Sequence, residues 1–347
     1  MKKLFSIVVL FTALMISQNS FAQVKFVENF SYPVGDSIGA HGWTYNSGTL
    51  NPLLVTTGLT YAGYPGSGVG NGLSMLATGN DAYKNWDAND SAGTVYCSFM
   101  LNVATASTAG DYFFAMLPGT STSLYTCRLT VKDSLGAAKF GLSKGTVGSG
   151  IGYTSGTYAY GTTILCVIKY KFNSGSTTDD EASMYIFTSG FPATEPVTAT
   201  IPVVTSSATD VGNLGRCAVR QGGATTGCTC MIDGFKVGKT WGDLATSIHT
   251  TSTIADNFSL SQNYPNPFNP NTKISFSLPV NGVVSLRVYN TIGKEVSNLV
   301  NSRLNSGSYT VDFNGSNLNS GVYFYSLELS GENGKVYSEQ KKLMLIK

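Results

Sequence analysis

The sequence predicts an all-β protein: a large jelly-roll β-sandwich followed by a small immunoglobulin-like β-sandwich. Three observations carry this. Residues 24–244 show short runs of β-branched and aromatic residues bounded by Gly, Ser, Asn or Asp, with almost no helical period. Charged residues are 12% of the chain, about half the usual quarter, and Gly, Ser, Thr, Asn and Tyr take their place. A Ser/Thr-rich stretch at 245–257 then separates about 220 residues from a sharper alternation over about ninety. Apolar residues reach 42%, enough for sizeable cores. A net charge of +2, with Lys and Arg scattered, gives no case for nucleic acid.

Met1-Lys2-Lys3 precedes an apolar run at 4–16, and small residues follow at Ser20 and Ala22. The pattern predicts a signal peptide over 1–22, cut between Ala22 and Gln23. The run is shorter than the roughly 20 residues of a membrane span, and no later stretch supplies one. The expected organisation is therefore a jelly-roll domain over 23–244, a linker over 245–257 and a second domain over 258–347.

Strands are expected at 96–103, 112–117, 124–131, 163–172 and 182–188, with a late hairpin of 216–221 and 228–237. About 220 residues is large for an immunoglobulin-like module and suits a double-sheet jelly roll. Of the six cysteines, Cys97, Cys127 and Cys166 share faces with apolar neighbours and read as small buried hydrophobes. Cys217 and the Cys228/Cys230 pair flank a Gly-rich turn and are the best disulfide candidates.

After the linker, Pro265, Pro267 and Pro270 fix φ, and Tyr264, Asn266 and Asn269 are biased toward extended geometry. A stiff lead-in results, with Tyr264 and Phe268 available to pack on the sandwich. Ile274, Phe276 and Leu278 alternate with polar residues, and Asn281-Gly282 is a hairpin signal. Further alternations run through Val284, Leu286 and Val288, through Tyr309, Val311 and Phe313, and through Tyr323 to Leu329. Asn333-Gly334 turns the chain into its last strand, which makes six or seven strands in a small β-sandwich.

The run F-S-L-S-Q-N-Y-P-N-P-F-N-P-N-T-K-I-S-F-S-L-P resembles the start of the C-terminal sorting domain of type IX secretion cargo. V-S-L-R-V-Y-N-T-I-G-K-E-V, L-N-S-G-V-Y-F-Y-S-L and K-K-L-M-L-I-K follow in the family's order. The resemblance implies Sec export, then passage through the outer membrane by a translocon that recognises this domain. In many members the cargo is then released or attached to surface glycolipid. Beyond the Pro tract the carry-over covers Gly293, Gly307, Gly321, Lys341, Lys342 and Lys347. F-V-E-N-F-S-Y-P-V-G-D-S-I-G-A-H-G-W and M-I-D-G-F-K-V-G-K-T-W-G-D-L resemble the concanavalin A-like lectin and glucanase superfamily, laminin-G-like domains included. That superfamily hosts lectins, enzymes and adhesion modules, so it leaves function open.

Catalytic signals are sparse. Glycosidases of this superfamily carry closely spaced Glu and Asp on one strand, and no such strand is present; a retaining pair sits about 5 Å apart. His41 and His249 have no matched nucleophile, and the glycines at 66–72 lack the helix and Lys of a phosphate loop. Asp179, Asp180 and Glu181 form the acidic cluster, a candidate calcium site or a solvated turn. Trp43, Trp86, Tyr153, Tyr158 and Tyr160 are expected in Gly-rich loops, where exposed rings would stack on sugars and buried ones would seal the ends of the core. The leading expectation is a non-enzymatic module for carbohydrate binding or adhesion. A structural matrix protein without a small ligand and a glycan-active hydrolase or lyase are the alternatives.

Overall fold

The computed structural model describes residues 24–48, 50–145, 150–245, 248–252, 257–304, 306–331 and 334–347. The expected cleavage site at Ala22 and Gln23 lies outside them. Among these residues the chain is almost entirely β, as expected, and forms a large sandwich followed by a small one.

The large sandwich has an eight-stranded and a seven-stranded sheet. In the first, Ile201–Val204, Glu181–Phe187, Thr163–Lys171, Thr94–Ala106, Cys228–Gly238, Gly72–Met75 and Leu54–Thr56 lie side by side, and Val24–Glu28 also pairs with Cys228–Gly238. In the second the order is Gly152–Tyr153, Ala138–Ser143, Thr126–Asp133, Asp111–Leu117, Leu214–Val219, Asp81–Asp90 and Thr44–Ser47. The five expected strands between 96 and 188 fall within three residues of observed ones.

Alternation decides which side chains enter the core between the sheets. Val95, Cys97, Phe99, Leu101 and Val103 point in from one sheet, and Cys127, Leu129, Val131, Phe140 and Leu142 from the other. Phe235 sits among the rings of Phe30, Phe99 and Phe114, with centroids 6.0, 5.1 and 5.8 Å away. The late hairpin expected at 216–221 and 228–237 does not form. Leu214–Val219 belongs to the seven-stranded sheet and Cys228–Gly238 to the eight-stranded one, so the Gly-rich turn crosses between layers. All six cysteines are free and buried. Burial raises the thiol pKa of Cys97, Cys127, Cys166 and Cys217, the last to about 12. Cys97, Cys127 and Cys166 act as the small hydrophobes their neighbours suggested, whereas the expected disulfide between Cys217 and the Cys228/Cys230 pair does not form, because the two segments belong to different sheets.

The small sandwich pairs two four-stranded sheets. One holds Ile248–Ser252, Gly307–Asn314, Asn271–Leu278 and Ser259–Leu260; the other holds Glu295–Leu304, Gly282–Asn290, Gly321–Gly331 and Val336–Leu345. The apolar alternation is buried as expected, from Ile274, Phe276 and Leu278 to Leu343 and Leu345. Two features differ from expectation. Asn281-Gly282 joins strands of different sheets, so it makes a corner and no hairpin. Within the expected linker, Ile248–Ser252 is a strand pairing with Gly307–Asn314, because that sheet edge offers free backbone donors and acceptors.

Candidate functional site

The five aromatic residues expected to meet sugars separate into core and surface. Trp43 is buried, stacked on Phe30 at 5.9 Å, and its Nε1 donates to Glu28. Trp86 is 4% exposed and belongs to the same core. Tyr158 packs on Phe140 at 5.4 Å, and Tyr160 donates its hydroxyl to Asp133 at 2.7 Å. Tyr153 alone presents its ring, at 36% exposure. Trp86 is a core residue because it sits on an inward position of Asp81–Asp90, and Trp43, just before Thr44–Ser47, because it packs on Phe30; a short Gly-rich run reveals neither.

The acidic cluster also differs from expectation. Asp179 and Asp180 meet Asp210, with carboxylate oxygens within 4.8 Å of one another, a geometry that could hold a metal ion. Glu181 turns away to Lys171 and Asn173. A cation is already built in, since the buried Lys144 Nζ lies 2.6 Å from Asp210 and donates to the Thr178 carbonyl. Tyr170 and the Asn173 amide donate to Asp180, and the Gly175 and Ser176 amides to Asp179. These contacts serve a structural turn, and nothing about them selects calcium.

Near the start of the chain, Glu28 accepts from the Phe30 amide, Tyr32, Trp43 and Lys84. Burial opposes the charge on Lys84, but the Glu28 carboxylate outweighs it and holds its pKa above the ordinary value. His41 stacks on Tyr32 at 4.0 Å and bonds Asp36 at 2.9 Å. Every member is satisfied within the group, so it ties the first strand to the core.

The outer faces of the two sheets are unlike. That of the eight-stranded sheet is covered by apolar side chains over its central strands, and toward its edge it leaves a groove lined by Lys169, Lys171, Glu181, Ser183, Tyr185 and Glu195. Leu59, Tyr61 and Tyr64 cover Met100 and Leu165, and Trp241 and Leu244 cover Tyr96, Val167 and Tyr185. Glu195 accepts there from Tyr96, Lys169 and Tyr185.

On the seven-stranded sheet the same alternation that buries Leu129, Phe140 and Cys217 turns Arg128, Thr130, Lys132, Lys139, Arg216 and Arg220 outward. Four of these cations lie over tyrosine rings. Arg216 sits 4.3 Å from the Tyr83 centroid, Arg220 4.3 Å and Arg128 4.7 Å from Tyr112, and Lys132 4.4 Å from Tyr153. Arg216 is further fixed by Asn85 and the Ser121 carbonyl, and Arg220 by Asp111 and Asp81. Gly141 lets Tyr153 lie on the sheet, since a Cβ there would come within 2.7 Å of the ring. Of this constellation sequence reasoning found only Tyr153. A signal existed in the outward positions of strands whose inward positions had been read correctly.

In the small sandwich the Pro tract closes on the last strand. Phe268 is buried, its amide donates to the Met344 carbonyl, and the Ile346 amide donates back to it. Asn266 accepts from the Met344 amide, Pro265 and Pro270 supply carbonyl acceptors, and Asn269 is exposed. Tyr325 Oη accepts the Asn263 amide and donates to the Ser261 carbonyl. Tyr264 is 82% exposed, against the expectation that it packs. Gly293 takes φ +78° in the turn before Glu295–Leu304, and Gly307 and Gly321 open strands. Lys341 pairs with Glu339, the Lys342 carbonyl accepts from Gln262, and Lys347 reaches the Ser316 carbonyl. Among the described residues no helix is long and apolar enough to cross a membrane.

No curated protein sequence matches this chain. Among solved structures, domain 4 of AbnA, a GH43 extracellular arabinanase from Geobacillus stearothermophilus in complex with arabinotriose, aligns at TM-score 0.39 and 12% identity, over 65% of this chain and 99% of that one. The alginate lyase Aly36B aligns at 0.39 and 14%, over 63% and 97%. The carbohydrate recognition domain of Emp47p aligns at 0.33 and 8%, over 63% and 97%. Residues 262–345 match the family model described as Secretion system C-terminal sorting domain, so this is a secreted or cell-surface protein whose tail addresses it to the type IX secretion machinery.

Proposed function

We propose that the large sandwich is a non-catalytic carbohydrate-binding or adhesion module, delivered by its sorting tail, and that it binds on the outer face of the seven-stranded sheet. The observation that carries this is the contrast between the two outer faces: the centre of one is covered by apolar side chains, while the other presents rings and fixed polar groups across its strands. Planar rings beside hydrogen-bonding groups suit sugar recognition, since the ring takes the apolar face of a pyranose and the polar groups its hydroxyls. The non-catalytic reading draws on the carboxylates of this face, Asp81 and Asp111, which both turn to Arg220. A glycosidase needs one carboxyl group to donate a proton and a second to act as base or nucleophile.

Glycan-array binding by the large sandwich within the full chain, weakened in Tyr153→Ala, is the expected result. Trp86→Ala is unsuitable because that ring is in the core. An array with no bound glycan would sink the binding reading, and release of reducing ends from any polysaccharide would sink the non-catalytic one. A chain stopped before Asn257 should accumulate in the periplasm, and its normal delivery to the surface would refute the role given to the tail.

A further inference from the structure

Charge narrows the class of sugar this face takes. The whole chain carries only +2. Among the described side chains of the face, however, Arg128, Lys132, Lys139, Arg216 and Arg220 stand against Asp81 and Asp111, an excess of three positive charges (5 − 2). Both carboxylates are committed to Arg220, at 3.8 and 2.8 Å. Arg128, Lys132, Lys139 and Arg216 have no carboxylate within ion-pair distance among the described residues. In the same sandwich Lys25, Lys84, Lys144, Lys169, Lys171 and Lys239 all have one. Arg128, Lys132, Lys139 and Arg216 are thus gathered on one face.

Stability does not explain that gathering. Lys132 and Lys139 are direct cross-strand partners, and like charges in that position destabilise a sheet. Arg128 and Arg220 crowd the same Tyr112 ring, and Arg128 is only 9% exposed. Repulsion between such groups is stronger beside protein than in open water. It would be relieved by an anion laid across them.

We infer that the ligand of this face is a polyanionic polysaccharide, bearing carboxylate or sulfate groups along its length. Arg216, Lys132 and Lys139 pair with its anions, and Tyr153 takes a ring face. Arg128, more buried, contributes its field from the floor. From Tyr153 to Tyr83 the face crosses six strands, and five intervals of about 4.8 Å span ~24 Å. That length suits an extended oligosaccharide better than a single sugar. The guanidinium of Arg216 offers planar, bidentate geometry to a carboxylate or sulfate.

This rests on the reading that the face binds carbohydrate, and the test separates the two. Full-length protein is run in affinity electrophoresis and titrated calorimetrically against four polymers and a control. These are polygalacturonate and its methyl ester, dextran sulfate and dextran, and poly-L-glutamate. The expected result is binding to a charged polymer and not its uncharged counterpart, weakening as salt rises. Whichever of polygalacturonate and dextran sulfate binds identifies the anion as carboxylate or sulfate. Arg216→Gln and Lys132→Gln should each weaken binding about tenfold, as loss of a charge-assisted contact predicts. Lys171→Gln, on the other sheet, should not, and unchanged melting temperatures show that the variants fold. Equal binding of a charged polymer and its neutral counterpart overturns the polyanion inference and keeps the carbohydrate reading. Equal binding of poly-L-glutamate overturns the sugar in favour of bare charge. Failure of all five polymers overturns the inference, and failure of the glycan array as well overturns the reading beneath it.

Discussion

The two outer faces of the large sandwich began from the same strand alternation and reached opposite ends. On the eight-stranded sheet the outward positions include Met100, Leu165, Val167 and Tyr185, which the chain returns twice to cover, at 59–64 and at Trp241–Ala245, and the polar Lys169, Lys171 and Ser183 beside a groove at the edge. On the seven-stranded sheet they include Arg128, Lys132, Arg216 and Arg220, which themselves lie over the rings of Tyr83, Tyr112 and Tyr153. Strands whose two faces are both apolar must be buried twice, whereas strands with one polar face can leave it to solvent. Under the function proposed above, the difference assigns stability to one face and recognition to the other.

Trp241→Ala breaks the covered face and should have the largest effect. The ring meets Tyr96, Tyr185, Phe187 and Phe191 at 5.1–6.1 Å, and its Nε1 donates to the Pro192 carbonyl. A loss of about 3–5 kcal/mol is expected for such a truncation, read from denaturant unfolding. A change under about 1 kcal/mol would show that this cover is not a stabilising layer.

A pH effect tests the same cover at its other anchor. Asp233 is fully buried on the covered face, where its Oδ2 accepts the Leu59 amide and so ties down the 59–64 segment. Burial pushes its carboxyl up to about 7, from 3.8. The folded chain then holds a proton that the unfolded chain has released between these values. Stability should therefore fall as pH rises from about 4 to about 7 and level off above, by at most about 4 kcal/mol. Asp233→Asn should flatten that slope. Equal urea midpoints for the native chain at pH 5 and pH 8 would argue against it.

How far these faces could be read in advance differed for a physical reason. Inward positions announce themselves, because burial demands apolar residues at every second place, and so Val95, Cys97 and Phe99 were legible. The pairing of strands was less so. Asn281-Gly282 and the Gly-rich 221–227 turn carry hairpin chemistry, yet each connects two sheets, because a turn residue constrains local φ and ψ but not the partner of the strand that follows. The cationic face was invisible for a related reason. Its members come from strands far apart in sequence, at 83, 112, 128, 132, 153 and 216, and only the sheet order brings them together. Trp43 and Trp86 misled because a tryptophan in a Gly-rich context looks exposed until its strand and register are known.

The small sandwich supplies an intermediate case. Tyr325 is fully buried, and its hydroxyl satisfies both the Asn263 amide and the Ser261 carbonyl at the entrance to the Pro tract. Tyr325→Phe keeps the ring and leaves those two backbone groups without that partner. The expected loss is about 1–3 kcal/mol, with faster hydrogen exchange at Asn263. Unchanged exchange there would mean that the tract is held by Phe268 and Asn266 alone.

Tyr153→Ala should be the smallest change in stability and the most telling for the comparison. The ring is 36% exposed, lies over Gly141 and is held mainly by the Lys132 ammonium. An exposed cation–π contact contributes about 0.5–1 kcal/mol, and losing it also frees Lys132 from its support, so the melting temperature should barely move. Binding to a glycan, by contrast, should drop by about tenfold or more, because a stacked ring in a sugar site has no substitute nearby. Trp241→Ala should show the opposite profile: lower stability, with undiminished affinity in whatever fraction stays folded. If Tyr153→Ala instead lowers stability as much as Trp241→Ala does, the open face is part of the structural core. The division of labour between the two sheets then fails.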